Sequence, residues 1–403
     1  MIMLRQVAVS RTSSLHANKK GQDFNYHAYI YATDNHPYRT AASGGVPFGS
    51  GLNTLSRYDW VNFRRVKWDE CSNASGADCL TPKGFTFMRL ALSGSSDNTT
   101  TVYVDFYNLH TDAGTEADDL TARQANINQV AAYIAAWSTG NAVVIYGDTN
   151  SRYSRTADTA IRSLLAKGGF TDAWVQLQRN GVVPTAESLC DNPSLSNNTC
   201  ETVDKIFYRS SPLVTLAATA FRYESARFLQ PNGSILSDHN PVYADFTWST
   251  TTTLLQQSAF FGGDQGGTWF SDVPTLSSIP KPKPAVLTFR GAARLDGVSL
   301  TLTDGTTLSH GSSTGGTAST LALARDEYWT GAELCKGEKK DGQTTTTRNF
   351  YIRAVTSSGR SVEAGTRTAS CGTSAAPEGW HIVGFLGQTG MEVDQLAFLY
   401  APR

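Results

Sequence analysis

The stretch Val143-Val144-Ile145-Tyr146-Gly147-Asp148-Thr149-Asn150 decides the fold of the first part of this chain. A β-branched and aromatic run bounded at once by Gly-Asp reads as a short buried strand delivered into a polar turn. Val102–Tyr107 upstream has the same character and ends in Asn108–Leu109–His110–Thr111. Between the two runs, Ile127, Val130, Ala131, Ile134 and Trp137 recur at helical spacing. Asp118 and Asp119 precede them, where a helix start favours acidic side chains. Ile206–Tyr208 and Val242–Phe246 read as further strands. This alternation, up to about Trp248, predicts a layered α/β domain.

Beyond it the texture changes. Ser249–Thr253 (STTTT) is a low-complexity join, followed by Gly-rich turns, many Thr and Ser, and short alternating strands. Val298, Leu300 and Leu302 alternate and end at Asp304–Gly305, a hairpin signal. Phe350, Ile352 and Ala354 lead to the turn Ser358–Gly359, and Leu396, Phe398 and Tyr400 alternate near the end. This part is predicted to be all-β. Pro280–Pro284 (PKPKP) reads as a stiff loop inside it, because Ala285–Phe289 continues the strand texture.

A chain of 403 residues exceeds what one hydrophobic core serves, so two domains are expected. The net charge of −1 advertises no broad basic field, so nucleic acid stays open as a partner without being indicated by charge. The six cysteines fall into local pairs, Cys71 with Cys79, Cys190 with Cys200 and Cys335 with Cys371. None has the spacing of a zinc knuckle. Sequons at Asn73, Asn98, Asn197 and Asn232 accompany them, and together they favour an oxidising, extracellular setting. The alternative is a set of reduced structural cysteines in a cytosolic protein. Met1–Lys20 holds Ile2, Met3 and Leu4 but no run fit for a signal peptide, and no transmembrane stretch is read anywhere.

Separated motifs carry the chemistry: Asn108–Leu109–His110, Gly147–Asp148–Thr149–Asn150, and Ser237–Asp238–His239–Asn240–Pro241 before Val242. Asp204, in Val203–Asp204–Lys205–Ile206–Phe207, adds a carboxylate at a strand start. In this order they resemble the endonuclease/exonuclease/phosphatase superfamily over roughly Gln22–Trp248. Phe48–Tyr58 (FGSGLNTLSRY) is similar to that family's Gly-rich turn. The resemblance implies a four-layer α/β sandwich that hydrolyses a phosphate ester, with Mg²⁺ or a similar divalent cation.

Such a reaction needs an activated water and charge compensation on phosphoryl oxygens. His239 suits the base, since imidazole titrates near neutrality. Asp204 or Asp238 could orient it, and the resemblance implies Asp204. Asp148 would hold the water or the metal, Asn150 would donate to a phosphoryl oxygen, and His110 would stabilise the phosphate or protonate the leaving group. The expected metal ligands are Asp148, Asn150 and Asp238.

The chain departs from the family pattern at its start. Where the family carries a metal-binding Glu, in Gly21–Gln22–Asp23–Phe24–Asn25–Tyr26, this sequence has Gln22. A neutral amide replaces an anion there, and Asp23 on the opposite strand face is a poor substitute. No strand with a suitable Asn is read ahead of it, so the first strand is expected to be missing and the chain marginally stable. Two explanations follow: a truncated sequence, which is preferred, or a domain that no longer turns over.

Phe260–Asp272 (FFGGDQGGTWFSD) resembles the opening of jacalin-related lectins, and Gly390–Asp394 matches their Gly-x-x-x-Asp sugar loop. The resemblance spans about Phe260–Pro402 and implies an all-β prism. Asp394 would accept sugar hydroxyls, with backbone amides near Gly263, Gly390 and Met391 approaching closely. The alternative is that the glycines serve turns only. The expected organisation is residues 1–248, a linker over 249–258, and a lectin-like domain over 259–403. The expected partners are a phosphate ester and a carbohydrate or glycoconjugate. Two functions follow: a metal-dependent phosphoesterase carrying a sugar-binding module, or a lectin beside an impaired nuclease-like domain.

Overall fold

The computed structural model describes residues 2–6, 32–41, 50–94, 99–250 and 253–403, the first segment as backbone only. Its N-terminal region is the expected α/β arrangement. Strands β1 (Ile2–Gln6), β2 (Tyr38–Arg39), β3 (Leu55–Ser56), β4 (Trp60–Lys67), β5 (Gly84–Gly94) and β6 (Thr101–His110) lead to helix α1 (Ala117–Trp137). After it come β7 (Ala142–Asp148), α2 (Ala160–Gly168), β8 (Thr171–Asp172), α3 (Ala173–Gln178), β9 (Asp204–Arg209), β10 (Val214–Tyr223) and β11 (Val242–Thr250).

The larger sheet has the order β4-β5-β6-β7-β9-β8, and the smaller has β1-β11-β10. Only β6 and β7 are parallel in the larger one. A parallel pair needs a crossover, which α1 supplies. Strands β6 and β7 are buried on both faces, as central strands between two layers must be. On one face Tyr208 meets Phe246 of the smaller sheet, ring centroids 5.2 Å apart. On the other, Tyr133 of α1 packs edge-on against Phe85 at 5.1 Å. The predicted helix is thus correct in place, and its apolar stripe of Ile127, Val130 and Ile134 is buried.

The expectation of no strand ahead of Gly21 is corrected. Residues Ile2–Gln6 form β1, antiparallel to β11, with Ile2 opposite Phe246 and Gln6 opposite Val242. The physical reason is that the outer edge of β11 offers a row of unpaired amides and carbonyls. A five-residue segment is long enough to satisfy that edge, whatever its side chains. Gln22 and its neighbours Gly21–Tyr26 lie outside the described residues.

The C-terminal region is all-β, as expected. It opens with β12 (Gln256–Gln257), β13 (Phe261–Gly262), β14 (Thr268–Ser271) and a single helical turn, α4 (Val273–Leu276). A second sheet holds β15 (Pro284–Gly291), β16 (Leu295–Leu302), β17 (Thr307–Gly311) and β18 (Thr317–Ala322). A third holds β19 (Trp329–Asp341), β20 (Thr344–Thr356), β21 (Ser361–Gly365) and β22 (Ser370–Ala375). Finally β23 (Trp380–Thr389) and β24 (Val393–Pro402) return to complete the first sheet beside β12–β14. The centre is aromatic: Trp329 of the third sheet lies 5.9 Å from Phe289 of the second and 5.6 and 5.5 Å from Phe385 and Phe398 of the first. The Pro-Lys run is the loop between α4 and β15. All three cysteine pairs are joined as disulfides.

Candidate active site

The chemistry-bearing residues end their strands in one row. Across the larger sheet Gly84 lies opposite His110, His110 opposite Asp148, and Asp148 opposite Asp204. Residues directly opposite one another in a ladder project from the same face. The register alone therefore gathers one imidazole and two carboxylates from β6, β7 and β9. Gly147 makes that row possible. Its φ is 142°, and a Cβ there would sit 2.0 Å from the carbonyl oxygen of Leu109 on β6.

His239 joins the row from the loop ahead of β11. Its Nδ1 lies 2.7 Å from Asp204 Oδ2, and its Nε2 lies 3.6 Å from Asp148 Oδ2. His110 Nε2 approaches the same Asp148 oxygen at 3.4 Å. Asn240 anchors the loop: its side-chain oxygen accepts from the Ser194 amide at 2.9 Å and the Ser225 hydroxyl at 2.6 Å, while its amide donates to Asp191 at 2.9 Å. Sequence reading quotes Asn240 within its motif and assigns it no role; an Asn between a catalytic-type His and a Pro is the available signal.

Asn150 is held more tightly than expected. Its backbone N–H donates to Asp148 Oδ1 at 2.8 Å, and its φ of 47° closes the turn. Its side-chain amide donates to the Thr111 carbonyl at 3.1 Å, and its own carbonyl accepts from Arg155 at 3.1 Å. Asn150 thus ties the ends of β6 and β7 together, with Arg155 behind it. The same Thr111 carbonyl accepts from Lys83 at 3.2 Å. Asp238 is exposed, acts on His239 through its charge, and is not among the clustered Asp148, Asp204 and His239.

The two imidazoles are pushed apart electrostatically. Burial drives His110 down to about 4, helped by Lys83 and His239 and opposed by Asp148. Burial also opposes charge on His239, but the Asp204 hydrogen bond and the carboxylates of Asp204, Asp148 and Asp238 outweigh it and raise it to about 9. Burial, with Asp204 nearby, raises the Asp148 carboxyl against the pull of both histidines.

The donor set fits a hard cation. Asp148, Asp204 and His239 offer ligand atoms within 4.8 Å of one another. Asp204 Oδ1 is buried without a hydrogen-bond partner, an arrangement that costs free energy unless something positive meets it. The other grouping of this kind among the described residues, Glu333 with Cys335 and Cys371, has its sulfurs locked in a disulfide.

In the β-prism, Asp394 is buried and ion-paired, its Oδ1 2.5 Å from Arg348 Nη1. Burial raises its carboxyl to about 6 against the pull of Arg348. Its Oδ2 is buried and unpartnered, facing Gly267, where a Cβ would lie 2.2 Å away. The Gly263 amide donates to the Asp394 carbonyl and the Gly390 amide to the Glu392 carbonyl, both at 3.0 Å. Met391 stands 83% exposed beside them. Arg348, which sequence reading missed, also donates to the Gln265 carbonyl at 2.8 Å and so clasps the Gly-rich loop.

Comparison with known proteins agrees with both halves. The family described as Endonuclease/Exonuclease/phosphatase family 2 matches residues 3–245, and the Jacalin-like lectin domain matches residues 258–399. The chain is 38% identical over 232 residues to proteins named sphingomyelinase from Mycobacterium bovis and Mycobacterium tuberculosis. That match covers 56% of this chain and 44% of each relative, so the chain spans under half the length of those relatives. Among solved structures it is similar to a mannose-binding jacalin-related lectin from Ananas comosus, at 20% identity over 37% of this chain and 99% of that one, TM-score 0.31. Artocarpin in complex with mannotriose is similar at 18% identity, over 38% of this chain and 99% of that one, TM-score 0.32. With its catalytic-type row on three strands and its following β-prism, the chain belongs to the endonuclease/exonuclease/phosphatase family 2 and carries a jacalin-like lectin domain after that region.

Proposed function

We propose that this protein is a divalent-cation-dependent phosphodiesterase acting on a sphingomyelin-type headgroup outside the cytoplasm, held at glycosylated surfaces by its lectin domain. One observation carries the reading: the Asp204–His239 pair at 2.7 Å, with the free Nε2 directed towards Asp148 at 3.6 Å. Asp204 holds the Nδ1 proton, which leaves Nε2 to take a proton from the attacking water. Asp148 orients that water from the other side. His110, kept neutral, donates a hydrogen bond to a phosphoryl or leaving oxygen. When bound at Asp148 and Asp204, Mg²⁺ or a similar ion supplies positive charge to the phosphoryl oxygens and offsets the carboxylates that keep His239 protonated.

The lipid substrate rests on the 38% identity to the mycobacterial sphingomyelinases. It is supported by apolar side chains near the His239 loop: Leu236 is 60% exposed and Leu195 63%. The Ser237 carbonyl of that loop accepts a hydrogen bond from Asn192, which ties the segment bearing Leu195 to the one bearing Leu236. Three disulfides fit an oxidising compartment. Among the described residues no helix is long and apolar enough to cross a membrane.

A second reading, a lectin beside an impaired hydrolase, is favoured by Gln22 at the position of the family's metal-binding Glu. Hydrolysis of sphingomyelin vesicles and of bis-p-nitrophenyl phosphate, with Mg²⁺ or with chelator, separates the two. Mg²⁺-dependent turnover that His239→Ala abolishes supports the first reading. A folded chain inert towards both substrates leaves the second.

A further inference from the structure

Helix α1 covers the outer face of the larger sheet only as far as Trp137. Beyond it, that face presents Asn62 on β4, Arg89 on β5, and Tyr103 and Asp105 on β6. Asn62, Arg89 and Asp105 share one row of the ladder. These are polar or charged groups, yet Asn62, Arg89 and Asp105 are at most 2% exposed. A buried Arg and Asp at a sheet face is costly unless every donor and acceptor is met and the site is sealed from water.

Arg89 is met within its own domain. Its Nε and Nη2 donate to Asp105 at 2.7 and 2.9 Å, and Nη2 donates to the Trp137 carbonyl at 2.7 Å. The seal comes from the other domain. The Arg89 guanidinium lies 3.6 Å from the ring centre of Trp269 on β14, with Phe260 at 5.6 Å. Trp269 Nε1 donates to the Thr139 carbonyl at 3.2 Å, just past the end of α1. Tyr103 packs at a tilt against Phe260, ring centroids 4.9 Å apart, and its hydroxyl accepts from the Phe260 amide at 3.3 Å. Asn62 donates to the buried Gln395 at 3.3 Å, and at the rim Arg64 pairs with Asp264 at 3.0 Å.

Gly140 shows how closely side chains of the prism pack on the hydrolase backbone. Its φ is +84°, and a Cβ there would lie 2.5 Å from Ser271 Oγ and 2.8 Å from the Val273 side chain. Relative motion is the ordinary expectation for domains joined by a polar linker, unless their interface is large and dry. Here the contact is aromatic, desolvated and continuous with both cores.

We infer that the β-prism is the remaining covering layer of the hydrolase sheet, centred on Arg89 and Trp269, so that the two regions form one cooperative body and not two tethered modules. The inference rests on neither sugar binding nor turnover.

A test is to insert a site-specific protease sequence between β11 and β12 of the full chain and cleave it. The two pieces are expected to co-elute on gel filtration at the mass of one chain, and calorimetry of the uncut chain is expected to give one transition. Trp269→Ala should weaken association of the cut pieces at least tenfold, while Val182→Ala, an exposed side chain after α3 near the opposite edge of the sheet, leaves it unchanged. Pieces that separate, or two independent melting transitions, would overturn the inference. Elution at twice the chain mass would overturn it too, by placing the prism on a second copy. Trp269→Ala pieces that remain as tightly joined would remove Arg89–Trp269 as the centre. Circular dichroism of the cut sample guards against loss of fold by cleavage alone.

Discussion

Nδ1 of His239 lies 2.7 Å from Oδ2 of Asp204, although 35 residues separate them. One sits on a loop leading into the smaller sheet and the other starts a strand of the larger. The imidazole therefore bridges the two sheets, and its orientation depends on a carboxylate that reaches it only when both are packed. Asp204→Asn keeps the shape and removes the charge. We expect turnover of a phosphodiester to fall by about 10²–10⁴-fold with little change in fold, read as kcat against the melting temperature. Full activity in this variant would remove Asp204 from the reaction.

Gly147→Ala should be far more damaging than its size suggests. The added carbon would meet the Leu109 carbonyl at 2.0 Å, in a backbone conformation that side chains rarely adopt. A cost of about 2–3 kcal/mol or more is expected, with displacement of Asp148 and loss of turnover. Urea unfolding of the purified variant measures it. A wild-type midpoint with wild-type activity would contradict the argument.

His381, like His110, should make stability fall on mild acidification. It is buried against Tyr328, ring centroids 5.2 Å apart, and burial, with Arg403 and Lys283, holds it down to about 4. An unfolded histidine takes up its proton near 6.5, so between the two values protons favour the unfolded chain. The stabilisation is present above pH 6.5 and is lost as pH falls towards 4, by up to about 3 kcal/mol. His381→Gln should flatten this slope in denaturant titrations between pH 7.5 and pH 5. An unchanged slope would assign the effect elsewhere.

Arg348→Ala should destabilise the β-prism in a pH-dependent way. Asp394 already has one buried, unpartnered oxygen, and the substitution would strip its ion-pair partner, leaving only the weaker pull of Lys339. A loss of about 3 kcal/mol is expected at pH 7.5, where the carboxylate is charged. Less is expected at pH 5, since Asp394, already raised to about 6, then carries its proton. Equal losses at both pH values would show that Arg348 acts through packing alone.

Much of this was legible in the sequence because the informative residues sit at strand ends. His110, Asp148 and Asp204 each close or open an apolar run, and strand ends are where a ladder turns periodicity into adjacency. Strand β1 escaped because pairing at a sheet edge uses backbone groups, which leave little trace in side-chain pattern. For Asn150 the residue type was legible, whereas the αL turn that brings its side-chain amide to the Thr111 carbonyl was not. The domain contact was illegible for a third reason. Arg89, Asn62 and Trp269 look like ordinary surface or core residues until two distant segments are brought together, and neither periodicity nor charge records that.

Strand β11 has an unusual position in the chain. It begins beside Pro241, two residues after His239, and ends at Thr250, where the chain leaves for the lectin domain. It is flanked by β1 and β10, both antiparallel to it. Tension applied to the lectin domain from a surface would run along β11 and load its hydrogen bonds in shear, which resist together, in place of peeling them singly. While Trp269 stays seated on Arg89, that force enters the hydrolase sheet through its face instead. The His239 loop is then spared the pull.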